Sequence, residues 1–478
     1  MNYAMIVYVF GWIALCEGAL LLCPLLVALN YGESVAPFAL TIAVCAVLAA
    51  ACLIRKPKSR VFYLREGFVI TSLSWILMSL LGTLPFIFSG AIPNFIDAFF
   101  ETVSGFTTTG ASILSDVEHL PKGILFWRSL THWIGGMGVL VFLLTLLPKA
   151  SGSYTNLMKA ESPGPMVEKL VPKLRDTAMI LYGIYVFMML IEIIVLRICK
   201  MPLFDAVTLS LGTAGTGGFG IRNDSLGSYT LAQQNVIAIF MVLFGINFNC
   251  YFYVLLGKAK KAWGIEEVRW YLMIIATAVL IITLNIMKTV GGFFPALQKS
   301  FFQVASLISS TGYSTVDFDL WPNLSRTVLV MAMLIGACAG STGGGFKVSR
   351  VLILTKDIKC QLQRVLQPQR VCHSRMDGKS LDKDTVDTAN AYLAAYVLVF
   401  VASLLIVSLD GLDLTSNFTA VLATLNNIGP GLSLVGPARN FAVYSQPIKL
   451  VLSFDMLIGR LELFPVLVLF SRSTWRRG

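Results

Sequence analysis

Four glycine-centred turns recur along the 478-residue chain, and their residue types suit the binding of a cation. In chain order they are Thr107-Thr-Thr-Gly-Ala-Ser112, Ala214-Gly-Thr-Gly-Gly-Phe219, Ser309-Ser-Thr-Gly-Tyr-Ser314 and Asn426-Asn-Ile-Gly-Pro-Gly431. Glycine permits positive φ and close approach of backbones, so the carbonyl oxygens of such turns can face a common axis. Because a ring of carbonyl oxygens replaces the hydration shell of a monovalent cation, the turns predict a site for a dehydrated monovalent ion.

The spacing of the turns indicates an internal repeat. With Gly110, Gly217, Gly312 and Gly429 taken as equivalent, successive turns lie 107, 95 and 117 residues apart. Recurrence of a similar unit at a near-regular period is the signature of a repeated architecture. The repeat covers about residues 65–472, and four copies in one chain can close around a central axis, which would bring the turns into one ring.

The composition places these turns in a membrane protein. Apolar residues make up 56% of the chain and charged residues 13%, and the mean hydropathy is +0.76. A soluble domain carries roughly 25% charged residues, so too little polar surface remains here to cover a water-exposed globule. Residues 1–29 have no basic residue before their long apolar stretch, so we expect a retained spanning helix there and not a cleaved signal.

A helix needs about 20 apolar residues to cross a bilayer. Ten apolar runs are long enough, and they lie near 5–29, 36–54, 67–90, 126–147, 178–198, 231–256, 270–290, 327–354, 389–409 and 447–470. Four shorter stretches precede the turns, near 95–108, 203–214, 297–310 and 415–427. At about 1.5 Å per residue they cannot cross a hydrocarbon core of about 30 Å, so we expect re-entrant half-helices.

The predicted fold class is therefore an all-α membrane protein with ten transmembrane helices. Four pseudo-fourfold repeats of span, half-helix and span surround a central pore, and two extra helices precede them. The predicted segments are the two N-terminal spans in 1–62, repeat 1 in 63–150, repeat 2 with its preceding cytoplasmic loop in 151–262, repeat 3 in 263–365 and repeat 4 with its preceding cytoplasmic loop in 366–478.

The distribution of lysine and arginine predicts the orientation. One set of loops carries 25 basic residues, and the opposite loops and helix ends carry ten; the basic set lies at 55–65, 149–175, 258–269, 350–383 and 472–477. Basic loops remain in the cytoplasm, so both termini should lie inside and the half-helices should enter from outside. The basic loops on the cytoplasmic side then account for the net charge of +11, which does not indicate a nucleic-acid partner.

Acidic residues on the predicted outer side have two interpretations. They could raise the local cation concentration, or they could be ordinary solvated loop charges. They are Asp97, Glu101, Asp116, Glu118, Asp205, Asp224, Asp317 and Asp319.

Three further motifs make the chain resemble a known family. They are Trp133-Ile-Gly-Gly-Met-Gly138, Gly336-Ala-Cys-Ala-Gly-Ser-Thr-Gly-Gly-Gly-Phe-Lys347 and Gly459-Arg-Leu-Glu462. Together with the four turns and the two extra N-terminal spans, they resemble the TrkH-type bacterial potassium transporters of the Trk/Ktr/HKT superfamily over essentially the whole chain.

The resemblance implies a potassium filter formed by backbone oxygens at and just before the turn glycines. Carried over, it nominates Thr109, Gly110, Thr216, Gly217, Thr311, Gly312, Ile428 and Gly429. In the family, serine at the first glycine position is associated with sodium passage, so Gly110 implies a preference for potassium. The fourth turn departs from the threonine-rich first and third, which leaves its ion contacts open. Potassium is expected as the substrate, with no cofactor in this chain.

The segment 336–345 predicts a gate. It holds five glycines in ten residues, and each disfavours helix by about 1 kcal/mol relative to alanine, so the 327–354 span should break in mid-membrane. In the resembled family such a segment gates the pore beneath the filter, with a basic residue beside it. The implied gate residues are Gly340, Gly343, Gly344, Gly345, Lys347 and Arg460.

Alternatives remain for both basic residues of this gate. Arg460 could instead form a structural pair with Asp455 or Glu462, because intramembrane charges commonly pair. Lys347 could extend towards the cytoplasm.

Together these features predict channel-like, voltage-driven potassium uptake across the bacterial cytoplasmic membrane, without enzyme chemistry. The resemblance implies a homodimer regulated by a cytosolic TrkA-type nucleotide-binding subunit, for which the loops at 149–175 and 350–383 are candidate docking surfaces.

Rival functions have weaker support. Gly340–Lys347 approaches a phosphate-binding GxxxxGK motif but is one residue off, and Gly215–Gly220 satisfies GxGxxG without a βαβ context. A secondary transporter would normally show inverted repeats. A membrane enzyme would need a clustered nucleophile or metal set; the nine cysteines lack a CxxC pair, and we expect small buried side chains and no disulfides.

Overall fold

The computed structural model describes residues 2–54, 57, 64–138, 174–369 and 372–475. Two predicted segment boundaries, 62/63 and 150/151, lie outside the described residues. So do the end of the predicted 126–147 span and most of the basic loop at 149–175.

Helices account for nearly all of the regular structure in the described residues. The N-terminal part comprises α1 (Tyr3–Leu20), α2 (Leu22–Asn30), α3 (Ala36–Leu53), α4 (Leu64–Gly82), α5 (Leu84–Phe88), α6 (Phe95–Phe106) and α7 (Lys122–Gly136). The middle comprises α8 (Leu174–Ile198), α9 (Leu203–Gly215), α10 (Leu231–Phe244), α11 (Phe248–Leu255), α12 (Ala259–Trp263), α13 (Glu266–Val290), α14 (Phe293–Ile308), α15 (Asn323–Ile335) and α16 (Val348–Leu366).

The C-terminal part adds a short hairpin and five helices. Its elements are β1 (Arg375–Met376), β2 (Lys379–Ser380), α17 (Lys383–Val407), α18 (Leu414–Leu425), α19 (Gln446–Arg460), α20 (Phe464–Leu467) and α21 (Arg472–Trp475). The two strands pair antiparallel, with Arg375 opposite Ser380. Single 3₁₀ turns occupy Phe318–Leu320, Ser408–Asp410, Ser433–Val435, Phe441–Val443 and Val468–Phe470.

Six helical segments within the described ranges are long and apolar enough to cross a membrane. They are Tyr3–Asn30, Ala36–Leu53, Arg65–Phe88, Thr177–Ile198, Glu266–Val290 and Lys383–Asp410. Their outer faces carry large apolar side chains; Val47 and Leu398, for example, are 71% and 72% exposed. Large apolar faces of this kind are stable against lipid and unfavourable against water, which agrees with the predicted membrane fold.

Within the described residues, three predicted spans do not form one continuous spanning helix. The break in 327–354 occurs where the glycines predict it, between α15 and α16. The 231–256 span bends by 91° between α10 and α11, and the 447–470 span ends at Arg460, where Glu462 and Leu463 adopt positive φ. These last two breaks lack a glycine cluster and were not expected.

The short helices and the helices that follow them pack in a closed circle. α7 contacts both α6 and α9, and α10 contacts both α9 and α14. α15 contacts both α14 and α18, and α19 contacts α18 and returns to α6. Each helix that follows a short helix thus lies between that short helix and the next short helix around the circle; these helices are α7, α10, α15 and α19. This packing brings the C-terminal ends of α6, α9, α14 and α18 together.

One expectation about the cysteines is wrong. Cys360 in the second half of α16 and Cys372 before the hairpin form a disulfide. They lie 12 residues apart, so they form no short-spaced CxxC pattern, and only the fold of α16 against the hairpin segment brings them into contact. Within the described residues, seven other cysteines are free.

Candidate cation-binding site

Helices α6, α9, α14 and α18 end in the same way. The N–H groups of Thr109, Gly217, Thr311 and Ile428 each donate to a carbonyl oxygen five residues earlier, at 2.9 Å. The residues just before them, Thr108, Thr216, Ser310 and Asn427, have φ between 53° and 58°. A bond across five residues around a left-handed residue is the Schellman helix end. All four left-handed positions hold residues with a Cβ, which is uncommon and mildly strained.

This pattern corrects the register of the second turn. The glycines that adopt positive φ two residues after the left-handed residue are Gly110, Gly218, Gly312 and Gly429, with φ of 77°, 81°, 87° and 95°. Gly218, and not Gly217, is therefore equivalent to Gly110, and Thr216 corresponds to Thr108. The sequence assignment of the second turn was wrong by one residue because either of two adjacent glycines satisfies the motif.

The four turns form a closed ring. A Cβ added to Gly110 would lie 2.0 Å from the carbonyl oxygen of Gly217, and one on Gly218 would lie 2.0 Å from that of Thr311. A Cβ on Gly312 would lie 2.1 Å from the oxygen of Ile428.

The fourth contact returns to the first turn, because a Cβ on Gly429 would lie 2.8 Å from the oxygen of Thr109. Each glycine therefore abuts the carbonyl of the next turn, and any side chain at these positions would displace a ring carbonyl.

Two cavities lie at the ring and at the glycine-rich loop, and they are called outer and inner after the orientation that the sequence predicts. An outer cavity of about 130 Å³ is lined by the four ring glycines and by loop residues such as Arg222 and Arg439. An inner cavity of about 160 Å³ is lined by Gly340, Ser341, Gly343, Gly344, Gly345, Lys347, Trp75 and Arg460 among others. The ring glycines therefore face the outer cavity, and the glycine-rich loop at 336–347 faces the inner cavity.

The glycine-rich loop lies directly against the ring. The N–H of Gly344 donates to Ser310 Oγ, and Thr216 Oγ1 donates to the carbonyl oxygen of Thr342 at 3.1 Å. A Cβ on Gly344 would lie 2.4 Å from the oxygen of Asn426, which leaves room only for glycine. Lys347 is buried, and its ammonium donates back to the carbonyl of Gly343. Lys347 therefore does not extend towards the cytoplasm.

Arg460 joins the loop to the first turn. Its guanidinium donates to the carbonyl oxygens of Thr342 at 2.9 Å and Gly136 at 2.6 Å, to that of Gly135, and to Thr108 Oγ1 at 3.3 Å. The carboxylates considered as its partners bind elsewhere.

Glu462 pairs with Arg350, whose guanidinium also lies 3.8 Å from the ring centre of Tyr392, and Asp455 accepts from Ser403 Oγ at 2.6 Å. Arg460 thus places positive charge at the inner cavity, in contact with carbonyl oxygens.

The chain matches the family model for TrkH cation transport proteins over residues 34–476. It belongs to the TrkH family. Two similar relatives are the Trk system potassium uptake protein TrkH of Salmonella typhimurium, 37% identical, and that of Escherichia coli, 36% identical, each covering all of both chains. The crystal structure of the potassium transporter TrkH from Vibrio parahaemolyticus superposes with a TM-score of 0.89 at 33% identity over all of both chains. These relatives are transport proteins and not enzymes, and the predicted family is confirmed.

His132, which the sequence analysis did not connect to the site, bonds to residues next to the first and second turns. His132 is fully buried on α7. Its Nδ1 donates to the carbonyl of Gly105 at 2.7 Å, and its Nε2 accepts from the N–H of Phe219 at 3.2 Å. Its ring also occupies the space beside Gly217, where an added Cβ would lie 2.1 Å away. The available signal was an ionisable residue inside a predicted span, which commonly marks a functional site.

Glu101 and Arg128 form a second buried support. Arg128 donates to Glu101 Oε1 at 2.7 and 2.9 Å and to the carbonyl of Gly220 at 3.1 Å. Glu101 also accepts from Ser112 Oγ and from the N–H of Ile113, so the pair holds the outer ends of the first and second turns. Both side chains are nearly inaccessible, at 0% and 2%.

Breaking this pair should destabilise the protein. We expect Arg128→Met alone to lower the free energy of unfolding by about 3 kcal/mol, because it leaves a buried carboxylate uncompensated. The double variant Glu101→Gln with Arg128→Met should be less destabilised than Arg128→Met. Thermal unfolding of the detergent-solubilised protein measures both, and equal melting temperatures for the two variants would contradict this reading.

Several outer carboxylates have structural partners. Asp97 pairs with Lys449 at 2.7 Å, and Asp319 pairs with Arg326 at 3.1 Å. Hydrogen bonds from the amide of Asn223 and the ring of His119 lower the pKa of the exposed Asp116 carboxyl. For Asp97, Asp116 and Asp319, these contacts favour the interpretation as ordinary loop charges over a role in raising the local cation concentration.

Proposed function

We propose that this chain carries potassium inward across the bacterial cytoplasmic membrane, through the ring of turns and past the glycine-rich loop. The observation that carries the proposal is the ring closure, since the four turns abut in sequence and the fourth returns to the first. Relatives that share the whole length of the chain are named potassium uptake proteins.

The proposed filter uses backbone oxygens to replace the hydration shell of potassium. Its members are the residues nominated by the sequence, with the second turn contributing Gly217 and Gly218. The C-terminal ends of α6, α9, α14 and α18 meet at the ring, and their dipoles add partial negative charge that favours a cation. A membrane potential supplies about 2.3 kcal/mol per charge per 100 mV, which is enough to drive uptake without another energy source.

The proposed organisation is that of the predicted segments. Four repeats surround one pore, two further spans precede them, ten helices cross the membrane, and both termini lie in the cytoplasm. We further propose a homodimer regulated by a TrkA-type nucleotide-binding subunit, with the basic segment 350–383 facing that subunit.

Cation flux into liposomes tests the function. With the purified chain, potassium and rubidium should enter in response to an inside-negative potential, and sodium should enter more slowly. Potassium should also raise the melting temperature in detergent more than sodium does, since a ligand that binds only the folded state stabilises it. Equal flux of all three ions, or equal stabilisation by both salts, would overturn the proposed selectivity.

Arg460→Ala should increase potassium flux. The substitution removes a positive charge from the inner cavity and the bonds that hold the loop to the first turn. Loss of two such bonds at about 1 kcal/mol each shifts the closed-to-open equilibrium by roughly thirtyfold. Because passage through the ring also limits the flux, we expect the flux itself to rise roughly tenfold. Rubidium uptake at matched protein density measures it. Reduced flux from correctly folded protein would indicate that Arg460 serves a structural role instead.

A further inference from the structure

Glu267 lies in the first turn of α13 and is 3% exposed, yet it belongs to no ion pair described above. Its Oε1 accepts from the N–H of Ala339 at 2.6 Å and from the N–H of Ser349 at 3.1 Å. Ala339 lies near the start of the glycine-rich loop, and Ser349 lies in the first turn of α16, just after the loop ends. One carboxylate oxygen therefore bridges both ends of the loop.

The arrangement is favourable because α16 begins with free N–H groups and positive dipole character. Lys347, which precedes α16, makes no side-chain cap to it. Glu267 supplies this cap from another helix, 82 residues away in sequence. Holding the start of α16 and Ala339 together fixes the ends of the segment that contacts the ring.

The same carboxylate reaches the bend between α10 and α11. Asn247 Nδ2 donates to Glu267 Oε2 at 3.5 Å. Around this bend, the N–H of Cys338 donates to the carbonyl of Gly245 at 3.1 Å, and the N–H of Phe248 donates to that of Gly340 at 3.0 Å. The unexpected 91° bend between α10 and α11 is thus hydrogen-bonded to the glycine-rich loop and holds it in place.

The turn that carries Glu267 is also held from the hairpin. The N–H of Glu266 donates to Asp377 Oδ1 at 2.7 Å, and Asp377 lies in the turn between β1 and β2. Lys356 on α16 links the two parts, because its ammonium pairs with Glu266 and donates to the carbonyl of Arg375, both at 2.6 Å. A displacement of the hairpin would therefore act on the residue next to Glu267.

We propose that Glu267 is a positioning residue that holds the glycine-rich loop closed beneath the ring, and that the hairpin turn at Asp377 is coupled to this position through Glu266 and Lys356, so that displacing the turn releases the loop. The inference rests on the proposed function, since it assigns the loop the role of a gate. Glu267 does not contact the ring, so it acts on the rate of ion passage and not on ion selectivity.

The test compares rubidium flux and the reactivity of one native thiol. Cys338 is buried within the loop, so its alkylation by N-ethylmaleimide, measured by mass spectrometry of its peptide, reports loop release independently of flux. Glu267→Ala should raise the Cys338 alkylation rate roughly thirtyfold, for the loss of two backbone bonds at about 1 kcal/mol each. The rubidium flux should rise roughly tenfold, because passage through the ring also limits it. The ratio of rubidium to sodium flux should stay unchanged.

Two variants act as controls. Glu267→Gln retains an acceptor oxygen and the side-chain shape, so both readouts should rise less than in Glu267→Ala. Glu33→Ala removes a comparable cap far from the loop, since Glu33 accepts from the N–H groups of Lys122 and Gly123 at the start of α7 at 2.6 and 2.9 Å. Neither readout should change in Glu33→Ala.

The outcomes separate this inference from the proposed function. If removal of residues 343–345 raises flux and Glu267→Ala does not, Glu267 does not hold the gate. If neither variant raises flux but Cys338 becomes reactive in Glu267→Ala, Glu267 positions the loop and the loop is not a gate. An unchanged Cys338 rate in Glu267→Ala overturns the positioning role, and an unchanged rate in Asp377→Ala overturns the role of the hairpin.

Discussion

Gly110→Ser should lower the ratio of rubidium to sodium flux about tenfold, which corresponds to about 1.4 kcal/mol of lost discrimination. The serine Cβ would lie 2.0 Å from the carbonyl oxygen of Gly217, so that carbonyl must move. The backbone at Gly110 also has φ of 77°, which a serine adopts only with strain. A carbonyl displaced by a few tenths of an ångström no longer matches the hydration shell that it replaces, and discrimination between ions of different size declines.

Two further glycine variants make this prediction specific. Gly411 has φ of 70° and no atom within 4 Å of an added Cβ, so Gly411→Ser carries the backbone strain without the ring contact. Its flux ratio should equal that of the unmodified protein. Gly218→Ser should resemble Gly110→Ser, because its Cβ would lie 2.0 Å from the oxygen of Thr311.

The two adjacent glycines of the second turn also test its register. A Cβ on Gly217 would instead meet the ring of His132, so Gly217→Ser should impair folding before it alters selectivity. If Gly218→Ser left selectivity intact while Gly217→Ser abolished it in a stable protein, the register assigned from the backbone would be wrong.

Removal of residues 343–345 should raise potassium flux by roughly an order of magnitude. The deletion removes the bond from Gly344 to Ser310 and the bond from Lys347 to the carbonyl of Gly343. Two hydrogen bonds at about 1 kcal/mol each shift a closed-to-open equilibrium by roughly thirtyfold. The flux should rise less than this equilibrium shift, because passage through the filter also limits the flux. Initial rates of potassium uptake into liposomes measure the change.

A single methyl group provides a milder form of the same experiment. Gly344→Ala would place a Cβ 2.4 Å from the carbonyl of Asn426, so the loop must withdraw from the ring. We expect a smaller rise in flux than for the deletion. Gly183→Ala is the control, since an added Cβ there meets nothing within 4 Å. Flux that stayed at the level of the unmodified protein in both the deletion and Gly344→Ala would rule out the loop as the barrier.

The sequence by itself determined the features that depend on local composition. The length of an apolar run limits how far a helix can reach, so the short helices ending near Phe106, Gly215, Ile308 and Leu425 were predictable. The five glycines of 336–345 predicted the break between α15 and α16 because helix propensity is a local quantity. The family followed from motifs that are contiguous in sequence.

Only the tertiary structure decided which residues meet across the repeats. Arg460 bonds to carbonyls 118 to 325 positions away, and Glu267 to N–H groups 72 and 82 positions away. Such partners carry no periodic signal in the sequence. Distant contacts also meet the two unexpected breaks, since the carbonyl of Gly245 accepts from the N–H of Cys338 and Glu462 pairs with Arg350.

The second turn shows the boundary between the two kinds of information. Thr216-Gly-Gly contains two residues that tolerate positive φ, so local propensity cannot choose between them. The choice comes from the hydrogen bond of Gly217 to Gly212, from the ring of His132 beside Gly217 and from the carbonyl of Thr311 beside Gly218. The sequence thus determined that a glycine turn lies there. A bond to the helix that precedes the turn and packing against two other segments determined which glycine faces its neighbour.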